Sequence, residues 1–280
     1  GDIVSIDFLR MVHEQFCMRL PERLLWVGSE DSQQQVIPGA FRTGRVQVGQ
    51  HVPPDPEKIE RFLERFVQVY HPSGLSKVRQ IMAVAAAHHR LLWIHPFYDG
   101  NGRVTRLFSH AYFGSIGIGS SLWSISRGLA RNNNEYKRLL MAADRQRVND
   151  FDGRGNLSLK ALNQFIQFFL ETAIDQVQFM RSLLAPETLL QRLELYVNDE
   201  IALGRLPPQS FSIIRDVILS DEMVRGRAGA ITGYQPRQAR TLLKALIDNG
   251  LLVSDTPKGA VKIAFPLAVV ERIFPALYPT

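Results

Sequence analysis

The 280 residues contain one cysteine, Cys17, which excludes an internal disulfide and a zinc site built from cysteines. Its neighbours Phe16 and Met18 make it read as a buried thiol rather than a nucleophile. No window approaches the roughly 18 apolar residues that a membrane span needs. Asp2, Asp7 and Glu14 stand where a secretory leader would be apolar, so no membrane partner and a cytoplasmic location are expected. Repeats and low-complexity tracts are also missing, and 20 glycines with 15 prolines give no long stretch the composition of disorder. What is present is ample core material: 45% of residues are hydrophobic and 21% charged. The net charge of +6 permits nucleic acid or acidic ligands without demanding either. The chain opens at Gly1 in the run-up to a helix, so sequence upstream of it is expected.

Periodicity predicts a mainly α chain: a helical core with a short β-hairpin flap, followed by a small α+β module. Ile6 to Arg19 carries apolar residues at helical spacing, and the polar stretch Gly28 to Gln35 reads as a loop. Phe41 to Val48, with Thr43, Val46 and Val48 set around Gly44 and Gly49, reads as an extended hairpin before the turn at Val52-Pro53-Pro54-Asp55-Pro56. Helices follow at Glu57 to Tyr70 and Val78 to Ile94. Pro96 must end the second of these at His95, and the helical pattern resumes from Asn101 to Phe113. Asn132 to Asp144 and Ser158 to Leu184 read as further helices. The expected division is a core over 1–185, a connecting helix over 186–207 and a module over 208–280. In that module three short helices (Ser210 to Leu219, Arg225 to Thr232, Gln235 to Asp248) precede two strands between Leu251 and Phe265. This is the order of a winged helix-turn-helix.

Residues 95–106 read His-Pro-Phe-Tyr-Asp-Gly-Asn-Gly-Arg-Val-Thr-Arg. A loop that enters a helix through Gly100-Asn101-Gly102 exposes backbone amides with no intrahelical partner, and the glycines admit a ligand close to the chain. Phosphate suits that position. Arg103 and Arg106, three apart in the first turn, can face one anion, whereas the helix dipole disfavours two cations there without one. Asp99 offers a hard carboxylate oxygen for Mg²⁺ shared with nucleotide phosphates, or alternatively a helix cap. His95 can take a proton from a hydroxyl near neutral pH. Core packing alone gives no reason for base, metal ligand, anion hole and paired arginines within one loop. Asp150 and Asp152 resemble a calcium loop only superficially. Arg154 occupies a ligand position and Ala161 stands where the closing glutamate would be.

These residues resemble the motif of the Fic (filamentation induced by cAMP) family, His-Pro-Phe-x-Asp/Glu-Gly-Asn-Gly-Arg-x-x-Arg, at every defined position. Pro38-Gly39-Ala40-Phe41-Arg42-Thr43 and Val52-Pro53-Pro54 are similar to the segments flanking that family's flap, so the resemblance extends over about residues 1–184. It implies a protein adenylyltransferase: His95 deprotonates a Ser, Thr or Tyr hydroxyl of a target protein, which attacks the α-phosphate of ATP and displaces pyrophosphate. It further implies that Asp99 holds Mg²⁺, that Gly100, Asn101, Gly102 and Arg103 hold phosphates, and that Arg106 reaches the γ-phosphate. Phe97 is expected to anchor the loop. The flap residues Thr43, Val46 and Val48 would pair with a strand of the target, although Val46 and Val48 fit ordinary strand positions equally well. Tyr136, beside Glu135, and Asn156 are the implied nucleoside contacts, with Lys137 departing from the second tyrosine of many relatives. The family's inhibitory segment, Ser/Thr-x-x-x-Glu-Gly/Asn, does not occur in the chain, and an unrestrained enzyme is expected.

Other chemistries remain open on this loop: UMP transfer, removal of AMP, and phosphate transfer, which Gly102 argues against. Residues 208–280 open a different class of function. Arg237, Arg240 and Lys244 share one helix face, Arg225 and Arg227 lie near in sequence, and Lys258 and Lys262 charge the wing, as in a DNA-binding regulator. From Pro186 onward, however, eleven basic residues are nearly balanced by ten acidic ones, so domain packing, homodimerisation or substrate docking compete with DNA.

Overall fold

The structure is a computed structural model that describes residues 1–28, 33–119, 123–274 and 277. It is mainly helical with two small antiparallel sheets. The chain forms two compact units, Gly1–Gln178 and Phe179–Thr280. Among the described residues no helix is long and apolar enough to cross a membrane.

The first unit begins with α1 (Ile6–Cys17), whose first turn is capped by the Ser5 hydroxyl accepting from the Phe8 amide at 3.1 Å. Of the loop expected over Gly28 to Gln35, residues 29–32 lie outside the described ones. Its flanks pair as β1 (Trp26–Val27) and β2 (Gln34–Gln35), with Trp26 opposite Gln35. α2 (Ile59–Tyr70) follows a 3₁₀ turn at Pro56–Lys58, and its apolar stripe buries Ile59, Leu63 and Phe66. α3 (Lys77–Ile94) is the central helix, burying residues on several faces, and packs on both α2 and α4 (Asn101–Ser115). α1 lies against α4. α5 (Ile125–Arg131), α6 (Asn133–Ala143) and α7 (Leu159–Leu183) complete the run, and the unit boundary falls inside α7. α5 was not foreseen, because seven residues give too short a periodic signal.

The hairpin expected over Phe41 to Val48 is not formed. Its residues make no regular strand, and the segment closes through one antiparallel bridge, Val48 with His51, whose amides exchange bonds of 2.9 and 3.0 Å. Gly49 takes φ +60° in the two-residue turn between them, and beyond His51 the prolines 53, 54 and 56 have no N–H with which to extend a ladder. Thr43, Val46 and Val48 therefore lie on an irregular segment.

The second unit holds α8 (Pro186–Ala202), α9 (Ser210–Ser220), β3 (Glu222–Met223), α10 (Ala228–Thr232), α11 (Pro236–Asp248), β4 (Leu252–Val253), β5 (Val261–Ile263) and α12 (Leu267–Ile273). The sheet order is β3-β5-β4, antiparallel throughout, with Met223 opposite Val261 and Leu252 opposite Ile263. The helix expected as a connector packs within this unit, α8 against α9 and α12. Glu200 near its end accepts from Arg205 at 2.5 Å and Arg272 at 2.6 Å, and these two cations hold its carboxyl down at about 2. β3 and α12 escaped the sequence pattern, since two residues cannot display a period of two and seven are too few for a helical one.

Candidate active site

The motif loop joins α3 to α4, and its shape follows from three residues. Pro96 cannot continue the helix, and His95 leaves it in the left-handed region, φ 51° and ψ 61°, at a cost on the order of 1–2 kcal/mol. Gly100 enters α4 at φ 79°, and a Cβ there would lie 3.4 Å from the His13 ring. Phe97 is fully buried and stacks flat on His13, with ring centroids 3.8 Å apart.

The loop is then tied at several points. Asn101 is 3% exposed; its side chain accepts from the Phe97 amide at 3.0 Å and donates to the Phe97 carbonyl at 2.8 Å. Its amide group is thus committed to the loop, and its contribution to an anion would be its backbone N–H. His13 Nδ1 accepts from the Gly39 amide at 2.9 Å, which leaves the proton on Nε2 to donate to the Asp99 carbonyl at 3.2 Å. Burial lowers the His13 pKa and keeps this tautomer neutral. Arg42, 2% exposed, donates to three carbonyls: His95 at 2.7 Å, Gly44 at 2.9 Å and Pro54 at 2.6 Å. Its own amide donates to the Pro96 carbonyl at 2.9 Å. One guanidinium therefore joins the motif loop to both ends of the segment before α2. His51 adds a bond to the Trp93 carbonyl at 2.8 Å.

Desolvation holds the His95 imidazole down to about 4, with the neighbouring Arg42 and His51 working in the same direction. The Leu92 carbonyl beside the ring works the opposite way. At neutral pH the ring is uncharged, oriented, and left with one bare nitrogen to receive a proton. The start of α4 has no side-chain cap and no acidic residue in its first turn. Arg103 is exposed, 3.7 Å from the Asp99 carboxylate and 4.9 Å above the Phe16 ring. A Cβ on Gly102 would lie 3.2 Å from Arg106 Nη1, so Arg106 folds back over that glycine. Amides without an intrahelical partner and two guanidinium groups at a helix N-terminus are an arrangement that suits an anion. Asp99 is 46% exposed beside it, and no group of three or more His, Cys, Asp or Glu able to hold a metal ion occurs among the described residues. A lone accessible carboxylate fits Mg²⁺ shared with substrate phosphates, not an all-protein cage.

The remaining expected residues are distributed differently. Thr43 reaches the loop, its hydroxyl 3.1 Å from that of Tyr98, whereas Val48 is exposed. Asn156 is exposed in the turn before α7, its carbonyl accepting from the Arg147 amide. Tyr136 is 7% exposed, and its hydroxyl bonds His88 inside the helical core at 2.9 Å. It does not present an open face to a nucleoside. Sequence reasoning missed the jobs of His13, Arg42 and His51. His13 had a visible signal, a polar residue on the buried stripe of α1 between Leu9 and Cys17.

The proteins named Protein adenylyltransferase Fic from Drosophila erecta and Drosophila ananassae are 41% and 42% identical to this chain over 69 residues. That stretch is 25% of this chain and 14% of each relative, so the chain spans only a small part of their length. Among solved structures, a Fic family protein from Desulfovibrio desulfuricans aligns with a TM-score of 0.46 and 16% identity, over 95% of this chain and 70% of that one. A Fic domain containing signaling protein from Bacteroides thetaiotaomicron aligns at 0.44 and 18%, over 62% and 60%. The model of the Fic/DOC family matches residues 4–113, the span that runs from α1 through the His95 loop into α4. Over those residues the chain carries a Fic/DOC family domain.

Proposed function

We propose that the first unit is a protein adenylyltransferase, moving AMP from ATP to a Ser, Thr or Tyr hydroxyl of a target protein. The observation that carries this is the pairing of a neutral, oriented His95 with an uncapped helix N-terminus lined by Arg103 and Arg106. The bare nitrogen of His95 takes the hydroxyl proton as the oxygen attacks the α-phosphorus. The bond from that phosphorus to the α,β-bridging oxygen breaks, and the electron pair departs with pyrophosphate. The amides of Gly102 and Arg103 and the two guanidinium groups stabilise charge on the phosphate chain. Asp99 is the residue that would hold Mg²⁺, which when bound neutralises phosphate charge. Thr43, Val46 and Val48 would border the incoming target segment, and the exposed backbone around them leaves it room.

Incubation of the chain with α-labelled ATP and Mg²⁺, beside His95→Ala, tests the proposal. Label on protein that is lost at least a hundredfold with His95 is expected. Equal labelling by both proteins would remove His95 as the base, and labelling by γ-labelled ATP alone would replace AMP transfer by phosphate transfer.

A second role has a specific observation of its own. α10 and α11 are two helices joined across the left-handed Gly233 (φ 73°), with the sheet β3-β5-β4 in the same unit, and that order supports reading residues 208–280 as a winged helix. Although the unit's charge is nearly balanced, five of its ten acids are paired with other cations: Asp216 with Arg227, Glu222 and Asp255 with Lys262, Glu200 with Arg205 and Arg272, and Asp199 with Arg272. Arg237, Arg240 and Lys244 are exposed on α11, and among the described residues no carboxylate lies within ion-pair distance of them. Duplex DNA fits that face. The full chain should shift a mixed-sequence duplex at low salt, and Arg240→Ala should reduce the slope of log affinity against log salt by about 0.9. An unchanged slope would assign α11 to protein contacts instead.

A further inference from the structure

His88 is the odd residue of the helical core. It is fully buried on α3, surrounded by the rings of Tyr136, Phe165 and Phe169, and plays no part in the chemistry above. An imidazole in such a place is costly unless both nitrogens are satisfied. Both are: Nδ1 lies 2.8 Å from the Ser109 hydroxyl and Nε2 lies 2.9 Å from the Tyr136 hydroxyl.

The direction of every bond in this chain is fixed. Ser109 gives its only hydroxyl proton to the Thr105 carbonyl at 2.9 Å, so towards His88 it can only accept. Nδ1 must therefore carry the imidazole proton. Burial pushes His88 down to about 3, so the ring is neutral and Nε2 is bare. Nε2 accepts the single proton of Tyr136, whose hydroxyl burial pushes up to about 12 and keeps intact. The Tyr136 oxygen is left with lone pairs only, and the Arg106 guanidinium is the cation beside it, its charge acting against the upward push of burial. Arg106 also lies over Gly102, at the anion site. The path leaves α4 at Ser109, crosses α3 at His88, reaches α6 at Tyr136 and returns to α4 at Arg106. It braces the second motif arginine from behind, where solvent does not compete.

We propose that Ser109, His88 and Tyr136 are positioning residues: a one-way buried relay that aims Arg106 at the phosphates beyond the α-phosphate, and so makes the site prefer a nucleoside triphosphate over a monophosphate. This rests on the anion-site assignment of Arg106 made above. It also gives Tyr136 a different job from that of a nucleoside contact, and the two jobs have opposite signatures.

Equilibrium binding of MgATP and of AMP to the full chain, measured by calorimetry, separates them without requiring turnover. The wild type is expected to favour ATP. Tyr136→Phe keeps the ring and removes only the oxygen; it should lower ATP affinity roughly five- to tenfold and leave AMP affinity within about twofold. Ser109→Ala, a smaller change that frees the His88 ring, should move the ATP-to-AMP ratio in the same direction by a smaller factor. Should Tyr136→Phe lose its cooperative thermal transition, Ser109→Ala carries the test alone. The double variant Tyr136→Phe/Arg106→Ala should bind ATP no more weakly than Arg106→Ala, because both changes cut one pathway. Equal loss of ATP and AMP in Tyr136→Phe, or additive losses in the double variant, would overturn the relay. So would a wild type that binds the two nucleotides alike. A wild type that prefers ATP and responds to Tyr136→Phe as expected, yet labels no protein, would sustain the relay and sink the transferase proposal.

Discussion

Residues 95–106 and residues 44–52 lie on either side of one guanidinium and are held in opposite ways. The motif loop is over-determined. Its centre is clamped by both amide atoms of Asn101, its floor by the stacked rings of His13 and Phe97, and its Asp99 carbonyl by His13. The other segment is pinned near its ends, by Arg42 at Gly44 and by His51 at the Trp93 carbonyl, with one antiparallel bridge and an exposed Val48 between. Groups that must meet a reacting phosphorus need fixed geometry, whereas a surface that receives a protein strand gains from leaving backbone groups unpaired. Arg42 touches both regions, so its loss should break the contrast most completely. Arg42→Met is expected to leave three buried carbonyls without their donor and to lower stability by about 2–4 kcal/mol in urea titrations. Labelling activity should drop by more than tenfold at temperatures where the variant is still folded.

Asn101 confines the damage to the loop. Asn101→Asp retains the bond from the Phe97 amide but sets a carboxylate against the Phe97 carbonyl, 2.8 Å from the present amide nitrogen. A loss of about 2 kcal/mol is expected from thermal denaturation, with weaker ATP binding because the loop that presents the backbone amides loses its clamp. The segment 44–52 should be unaffected, as judged by unchanged hydrogen exchange there.

Acid offers a graded way to load the same region. Burial lowers the pKa of His13, His88, His89, His95 and His110, to about 3 for His88 and about 4 for His95. Each is protonated more readily in the unfolded chain, whose histidines titrate near 6.5. The stability they contribute is therefore complete above about pH 6.5 and declines as pH falls towards 4, by at most about 1.4 kcal/mol per pH unit for each group. Chemical denaturation at pH 7, 6 and 5 should show the decline. Transfer by the free enzyme should stay level from pH 8 to pH 6, because His95 is still unprotonated there; a break near 6.5 would mean that its burial is relieved during turnover.

Why some of this was legible in sequence and some was not has a physical basis. Pro96, Gly100 and Gly102 act on their own backbone, so the helix break, the loop and the exposed amides at the start of α4 could be read from adjacent residues. The apolar stripes of α2 and α3 were equally local. The ties that hold the loop in place join residues far apart in the chain, Arg42 to His95 and His13 to Asp99, and no spacing rule reaches that distance. Tyr136 shows the related difficulty that a helix pattern identifies a face but not what the tip of a buried side chain will meet. The expected hairpin failed for a local reason: Pro53, Pro54 and Pro56, on the returning side, lack the N–H donors that a ladder beyond His51 needs. Strands of two residues, β1 to β4, lie below any periodic signal.

The mildest change isolates the loosely held region. Val48 is 44% exposed and contributes only its backbone to the bridge with His51. Val48→Ser should therefore shift stability by less than about 0.5 kcal/mol and leave ATP affinity unchanged. If the segment receives the target strand, the same change should still lower labelling of a protein target severalfold, as an increase in KM for the target with kcat preserved. Main-chain pairing supplies affinity in such an edge, and the side chains along it supply the choice of partner. A serine that alters neither parameter would mean that the target approaches His95 from elsewhere. The exposed valine would then be an ordinary surface residue.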